Sequence, residues 1–400
     1  MRSSLAAVLT SCALALVGCE KKESAPAAAS GGTAAATVPG GTPGVFGDTI
    51  LLGEVGSLTG SEATFGISTR NAIELAINEV NAAGGVKGKK IEVRVYDNQS
   101  KPEEAANAAM RLVMQDRVAV VIGENASSNT LAMAPAVARA QVPLISPSAT
   151  NPRVTSEGGP FVFRVCFVDT FQGEAMAAFA RRNLGLGRVA VLTDLKSDYS
   201  IGLADVFRRR FRELGGQVIS EESYAKGDTD FRALLTRVKA RRPEAIFIPG
   251  YYSDAGPIAH QARELGIQAL LLGGDGWESG GKLVELGGSA VEGAYYSTHF
   301  SPDNPSPVVQ SFIGRYRARY GKLPDSLGAL GYDAARVGID ALRRSAGPGG
   351  PALRDAIAAT HDFEGVTGRI SFGPDRNAVK STVVVRLAEG KPVFVAEVSP

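Results

Sequence analysis

Six residues of this chain draw attention because each follows a short apolar run. Ser127 comes after Val118 to Ile122, and Ser148 and Thr150 come after Leu144-Ile145. Tyr199, Tyr251 and Asp275 come after Val189 to Leu192, Ala245 to Ile248 and Leu270 to Leu272. Ser127 opens a segment that turns helical near Asn129. A hydroxyl beside the free N–H groups of a helix N-terminus holds an anion without any cationic side chain. Equally, Ser127 and Thr150 can cap a helix and a turn and do nothing else. Asp275, between Gly274 and Gly276, is either an acceptor for a cation or a turn-former. A tyrosine after a strand offers a flat apolar wall and one hydroxyl, or simply fills a core.

The remaining reactive side chains nominate no catalytic group. His260, His299 and His361 are isolated in sequence, with no metal-ligand spacing. There is no Gly-x-Ser-x-Gly elbow, Walker A loop or Gly-x-Gly-x-x-Gly turn. Cys166 lies in Phe-Val-Phe-Arg-Val-Cys-Phe, which reads as a half-buried strand carrying an inert thiol. No cofactor, no metal and no enzymatic activity are expected.

The elements that must position these residues are legible as alternation. Apolar runs at 50–52, 91–95, 118–122, 189–192, 245–248 and 270–272 are separated by amphipathic segments. In Asn71 to Val80, for example, Ile73, Ile77 and Val80 fall on one helical face. Further helical patterns span 102–114, 171–183, 204–214, 231–238 and 255–265. Continuous apolar strands alternating with helices imply parallel sheets covered on both faces, an α/β fold. The strand–helix order before about residue 165 is echoed between about 188 and 272, so two similar lobes are expected. A length of 400 residues with 44% hydrophobic composition supports about two domains. A net charge of +2, without charged blocks, excludes the basic face of a nucleic-acid binder. Arg208, Arg209, Arg210 and Arg212 read as a solvated helix face.

Arg2 and the apolar run Leu5 to Val17 have a signal-peptide layout ending in Leu16-Val17-Gly18-Cys19. This resembles a bacterial lipobox, which implies removal of residues 1–19 up to a lipid-modified Cys19 and attachment to a membrane through that lipid. Residues 20–46, rich in Ala, Gly, Ser, Thr and Pro, read as a flexible tether. Loss of the leader removes Cys12 as well, so Cys166 has no partner for an internal disulfide.

Gly56-Ser57-Leu58-Thr59-Gly60 with Phe65-Gly66 resembles the opening of the leucine/isoleucine/valine-binding proteins. The stretch Asn78 to Gly88, Tyr96-Asp97-Asn98, Ile145 to Pro152, Gly250-Tyr251-Tyr252 and Gly274-Asp275-Gly276 continue the likeness to near the C-terminus. The resemblance implies a type I periplasmic binding clamshell: two doubly wound parallel-sheet lobes joined by a three-strand hinge. Lobe one would comprise 47–168 and 299–378, and lobe two 169–298 and 379–400. By the same resemblance, Ser127 and Thr150 hold a ligand carboxylate and the Ser148 carbonyl helps hold its ammonium. Asp275 pairs that ammonium, while Phe65, Tyr199 and Tyr251 line the cleft. Trp277 and Tyr332 are further aromatics that can face it. The disulfide some relatives carry near this site is absent, Gln99 and Ala126 standing there, so packing is expected to hold the Ser127 loop.

The function so implied is an extracytoplasmic lipoprotein, in the periplasm or on the cell surface. As a monomer it would capture a small branched-chain or other apolar amino acid and deliver it to the permease of an ABC importer. The alternatives are a lipoprotein that senses amino acids or amides for a receptor, and an α/β enzyme.

Overall fold

Short, apolar, fully buried runs need sheet neighbours on both edges, and the chain supplies them in two sheets. A computed structural model describes residues 44–400. The first sheet holds β1 (Val45–Phe46), β2 (Thr49–Gly56), β3 (Lys90–Asp97), β4 (Val121–Ile122), β5 (Leu144–Ser146) and β6 (Val162–Arg164). Its parallel part runs in the order β3-β2-β4-β5-β6, and β1 pairs antiparallel with the start of β2. The second holds β7 (Arg188–Asp194), β8 (Gln217–Tyr224), β9 (Ala245–Ile248), β10 (Leu270–Gly273) and β11 (Tyr295–Thr298). A separate hairpin, β12 (Phe363–Gly365) with β13 (Gly368–Ile370), precedes β14 (Thr382–Ala388) and β15 (Lys391–Val398). The second sheet runs β8-β7-β9-β10-β11-β14-β15, parallel up to β11 and antiparallel beyond it. The mixed α/β architecture with two parallel-rich sheets is the one expected. Val45 and Phe46, read from composition as tether, form β1 because their backbone finds the open edge of β2.

Helices α1 (Ala63–Ala82), α2 (Pro102–Arg111), α3 (Ser127–Ala140) and α4 (Arg153–Ser156) link the strands of the first sheet. Next come α5 (Asp169–Ala178), α6 (Asp198–Glu213), α7 (Arg232–Arg241), α8 (Tyr252–Glu264) and α9 (Lys282–Gly287). Then α10 (Pro307–Tyr320), α11 (Ser326–Arg344) and α12 (Gly350–Ala358) return to the first sheet. There Phe312, Tyr316, Leu330 and Leu353 share a core with Ile50, Ile73 and Ile122. A second core on the sheet's other face joins Leu51 and Val121 to Ala105, Met133 and Val137 of α2 and α3. The third core surrounds the second sheet, with Val191, Phe247 and Leu271 packed against Phe207, Phe211 and Ile258. The chain thus passes between the two sheets three times, after β6, after β11 and before β14.

Helix ends follow local chemistry. Gly84 and Gly85 close α1 with φ of +95° and +78°, a left-handed bend that a Cβ disfavours. The arginine face of α6 is tied by ion pairs to Asp205, Glu213, Glu221 and Glu174, as a solvated helix face would be. The 161–167 segment departs from the half-buried reading. Every residue in it is buried, because α-helical cover lies on both faces of β6, and burial pushes the Cys166 thiol up to about 12. Among the described residues no helix is long and apolar enough to cross a membrane. The leader, Cys19 and the tether up to residue 43 lie outside the described residues.

Both sheets begin in the middle. β2 leads to β3 on one side and then to β4 on the other, and β7 leads likewise to β8 and then β9. In an open α/β sheet, loops leaving the carboxyl ends of strands on either side of such a reversal diverge and leave a crevice.

Candidate functional site

All seven residues singled out from the sequence follow the carboxyl ends of strands, four of them at these two reversals and Ser148, Thr150 and Asp275 one strand further on. Phe65 follows β2, Ser127 follows β4, and Ser148 and Thr150 follow β5. Tyr199, Tyr251 and Asp275 follow β7, β9 and β10. The structure brings them around one small cavity, completed by Asn125, Gly276 and Leu327. Larger cavities lie elsewhere. One, open to solvent, is bounded by His299, Lys380 and Phe394 and contains none of the seven.

On the first-sheet side the site is a set of hydroxyls held by buried polar clamps. α3 starts at Ser127 without a side-chain cap, so its first-turn N–H groups stand beside the cavity. Ser127 Oγ accepts from Asn151 N at 3.2 Å, and Ser148 Oγ donates to Asn125 Oδ1 at 3.0 Å. Asn125 Nδ2 is buried without a hydrogen-bond partner, and the Thr150 hydroxyl stands near the Asp169 carboxyl. The Ser127 loop is not held by packing alone. Glu124, fully buried, accepts from Ser57 N and Oγ at 2.9 and 2.7 Å through one oxygen. Through the other it accepts from Ala126 N at 2.7 Å and Asn129 Nδ2 at 3.2 Å. Arg164, also fully buried, does the same for the Thr150 loop, donating to the carbonyls of Ala149 and Asn151, both at 2.7 Å.

The second-sheet side carries the charge. Asp275 Oδ1 accepts from the Tyr199 hydroxyl at 2.9 Å, and Oδ2 meets His299 Nε2 at 2.9 Å. Its backbone N–H donates to Gln172 Oε1 at 2.8 Å, and Gln172 Nε2 donates to Asp169 Oδ1 at 2.9 Å. Burial, and after it the Asp275 carboxylate, push Asp169 well above the usual carboxylate range. Burial and the same neighbour push Tyr199 well up, so its phenol stays a donor. A carboxylate has about four lone-pair directions. Two are used by Tyr199 and His299, which leaves capacity for a cation from the cavity.

The aromatic walls meet across the cleft. Tyr199 and Tyr251 stack with centroids 5.2 Å apart, and Phe65 meets Tyr251 and Tyr252 edge-on at 5.5 and 5.3 Å. At one rim Asp198 accepts from Ser128 Oγ at 2.8 Å and pairs with Arg153 at 2.6 Å. At the other, Lys226 pairs with Glu62 at 2.5 Å and donates to Ser100 O at 2.9 Å. Trp277 and Tyr332 do not line the cavity. The Trp277 indole donates to Ile248 O inside the second sheet, and the Tyr332 hydroxyl donates to Glu79.

Sequence reasoning missed Asn125, Leu327, His299 and the clamps Glu124 and Arg164. Asn125 stood within two residues of Ser127 and was open to notice. Leu327 and His299 arrive from beyond β11 and carry no local signal. Chemically, the cavity offers neutral donors at one end, a carboxylate at the other and aromatic faces between. No group of three or more His, Cys, Asp or Glu side chains placed to hold a metal exists among the described residues.

The periplasmic binding protein family matches residues 49–392 of the chain. A leucine-binding protein, LivK, of Thermotoga maritima is 41% identical with a TM-score of 0.84, covering 88% of this chain and 99% of its own. The branched-chain amino acid transporter substrate-binding protein LivJ of Streptococcus pneumoniae, solved with isoleucine, is 37% identical with a TM-score of 0.83, covering 88% and 100%. An amino acid binding protein of Pseudomonas aeruginosa is 30% identical over 320 residues, 80% of this chain and 85% of its own. These are binding proteins, not enzymes. With two wound sheets, a cavity at their facing reversals and a family match across nearly all of the described residues, this chain belongs to the type I periplasmic binding proteins, in their leucine/isoleucine/valine-binding branch.

Proposed function

We propose that this chain captures a small apolar, branched-chain amino acid in the cavity between its sheets and delivers it to an ABC importer. An extracytoplasmic location follows from the family. The observation that carries the ligand class is the polarity of the cavity, with uncharged hydroxyls and helix N–H groups facing Asp275 across aromatic walls. That arrangement suits a zwitterion whose carboxylate meets Ser127, Thr150 and the α3 N-terminus, and whose ammonium meets Asp275 and the Ser148 carbonyl. The relatives bound to or named for leucine and isoleucine support the aliphatic side chain. In this reading lobe one is 47–168 with 299–378, lobe two is 169–298 with 379–400, and the crossings between them act as the hinge. Cys19 carries the lipid that keeps the monomeric protein at a membrane beside its permease.

The test is closure on ligand. A ligand bound only to the folded protein adds RT ln(1 + [L]/Kd), about 2.7 kcal/mol at a hundredfold excess over Kd. Leucine or isoleucine should raise the thermal midpoint, and small-angle scattering should show a smaller radius of gyration than in the stripped protein. Tight binding with an unchanged scattering profile would dispose of the clamshell mechanism, and no shift with any amino acid would dispose of the ligand class.

Side-chain preference in this reading is set by Phe65, Tyr199 and Tyr251. Each buried ligand methylene is worth about 0.8 kcal/mol, so discrimination along an aliphatic series is modest, roughly fourfold per carbon. Phe65→Ala should weaken leucine and isoleucine more than alanine and glycine in calorimetric titrations. Equal losses across the series would place Phe65 outside the side-chain pocket.

A further inference from the structure

His299 sits where the chain leaves the second sheet, directly after β11, and is 5% exposed. Its ring stacks on Phe167 with centroids 3.7 Å apart. Its backbone N–H donates to Ser326 Oγ at 3.3 Å, at the start of α11, next to the cavity residue Leu327. Its Nε2 lies 2.9 Å from Asp275 Oδ2. The ring's other nitrogen, Nδ1, is buried with no hydrogen-bond partner. We propose that His299 is a positioning residue for ligand binding, a neutral imidazole whose Nε2–H fixes the Asp275 carboxylate toward the ligand's ammonium. This rests on the amino-acid reading above and goes beyond it by assigning the residue that aims the acceptor.

The geometry dictates the tautomer. A carboxylate oxygen accepts, so the hydrogen of the pair belongs to Nε2. A second proton on Nδ1 would be a buried donor with no acceptor, which disfavours the charged ring. The influences that bear on the ring are opposed, and burial decides between them. Asp275 favours the imidazolium, Lys380 disfavours it, and burial, the largest influence, pushes the imidazole below its ordinary value. Neutrality matters for function. An imidazolium would neutralise Asp275 from behind and weaken its hold on an ammonium. A neutral N–H donor orients the carboxylate and leaves its charge to the ligand. Tyr199 orients the other oxygen, so the carboxylate is fixed from two sides, one within the second sheet and one at the crossing toward α11.

The experiment compares leucine with its des-amino analogue, 4-methylpentanoate, on the full chain and two variants. His299→Phe keeps a ring against Phe167 and removes the donor, while His299→Gln places an amide N–H near the position of Nε2. Leucine affinity should fall about 10- to 100-fold in His299→Phe, the range for a lost hydrogen bond to a charged group. 4-Methylpentanoate affinity should change less than threefold, and His299→Gln should recover leucine binding to within about fivefold. In the parent, long-range ¹⁵N–¹H spectra should show His299 as the neutral Nε2–H tautomer from pH 8 to below 6, with its resonances shifting when leucine is added. This spectrum stands even if a variant fails to fold. An equal loss of both ligands in His299→Phe, unchanged leucine affinity in it, an Nδ1–H tautomer, or titration at an ordinary imidazole pKa would each overturn the assignment. Failure of the parent to bind any amino acid would instead overturn the ligand class beneath it, and the two failures are told apart by the parent titration.

Discussion

Leucine or isoleucine binding should weaken by roughly two to three orders of magnitude when Asp275 is replaced by alanine. Asp275 is 6% exposed, and among the described residues it is the only acidic side chain lining the cavity. In a closed cleft an ammonium without its partner is costly, and removing one member of a buried pair costs on the order of 3–5 kcal/mol. The substitution also strips acceptors from the Tyr199 hydroxyl and His299 Nε2. Part of the effect is therefore loss of local order and not of the ion pair alone. The des-amino analogue separates the two. In the parent, 4-methylpentanoate should bind poorly, because it buries Asp275 beside no cation. In Asp275→Ala that penalty disappears, so the ratio of leucine to 4-methylpentanoate affinity should fall sharply. Disorder of the site would lower both affinities together. Equal binding of the two ligands to the parent, or intact leucine affinity in the variant, would move the ligand class to simple carboxylates or amides.

A loss of about 3–5 kcal/mol in unfolding free energy is expected for Glu124→Ala, together with weaker amino-acid binding. The side chain is fully buried and accepts four hydrogen bonds, from Ser57 N, Ser57 Oγ, Ala126 N and Asn129 Nδ2. Alanine leaves two backbone N–H groups and two side-chain donors buried without acceptors, and each such group costs about 1–3 kcal/mol before relaxation or entering water reduces the sum. Binding suffers as well, because Glu124 joins the start of α3 to the β2 end of the first sheet and so sets where Ser127 and the α3 N–H groups stand. Denaturant unfolding of Glu124→Ala beside an exposed control, Glu92→Ala, measures the stability term. Surface changes such as the control stay within about 0.5 kcal/mol. Hydrogen exchange at the first turn of α3 measures the local one, which should speed up in Glu124→Ala alone. Unfolding midpoints that coincide for the two variants would mean that the loop is held by something other than this carboxylate. Glu124→Gln should fall between them. Its amide keeps one acceptor oxygen but turns an NH₂ toward two donors.

Why the seven residues could be found without coordinates, and their supports could not, follows from what local sequence encodes. Alternation of apolar strands with amphipathic helices is a short-range property, since each element needs only the right period to bury one or two faces. Once the fold is a wound parallel sheet, the active loops are those after the strands, which is where Phe65, Ser127, Ser148, Thr150, Tyr199, Tyr251 and Asp275 stand. The motif likeness then sorted these from equivalent caps and turns elsewhere. Helix limits were less legible: α1 begins at Ala63, well before the periodic stretch from Asn71, because its first turns bury Gly66, Ser68 and Thr69, small or polar residues that carry no apolar period.

Tertiary structure alone decided which groups surround those seven. Trp277 has the same neighbourhood in sequence as Asp275, yet its indole turns into the second sheet to donate to Ile248 O, since a buried N–H must find an acceptor. His299 reaches Asp275, and Leu327 the cavity, only because the chain crosses back between the sheets after β11. Glu124 and Ser57 are 67 residues apart, and no period or spacing announces that they will share a hydrogen bond. Buried polar groups are paired with whatever the fold brings near, so their partners depend on long-range approach. The sequence by itself determined the layers, the loops and the chemistry available at their tips. The three-dimensional packing decided which tips meet, which carboxylate is clamped and which imidazole aims it, because those choices are made by distances between segments that the chain order leaves free.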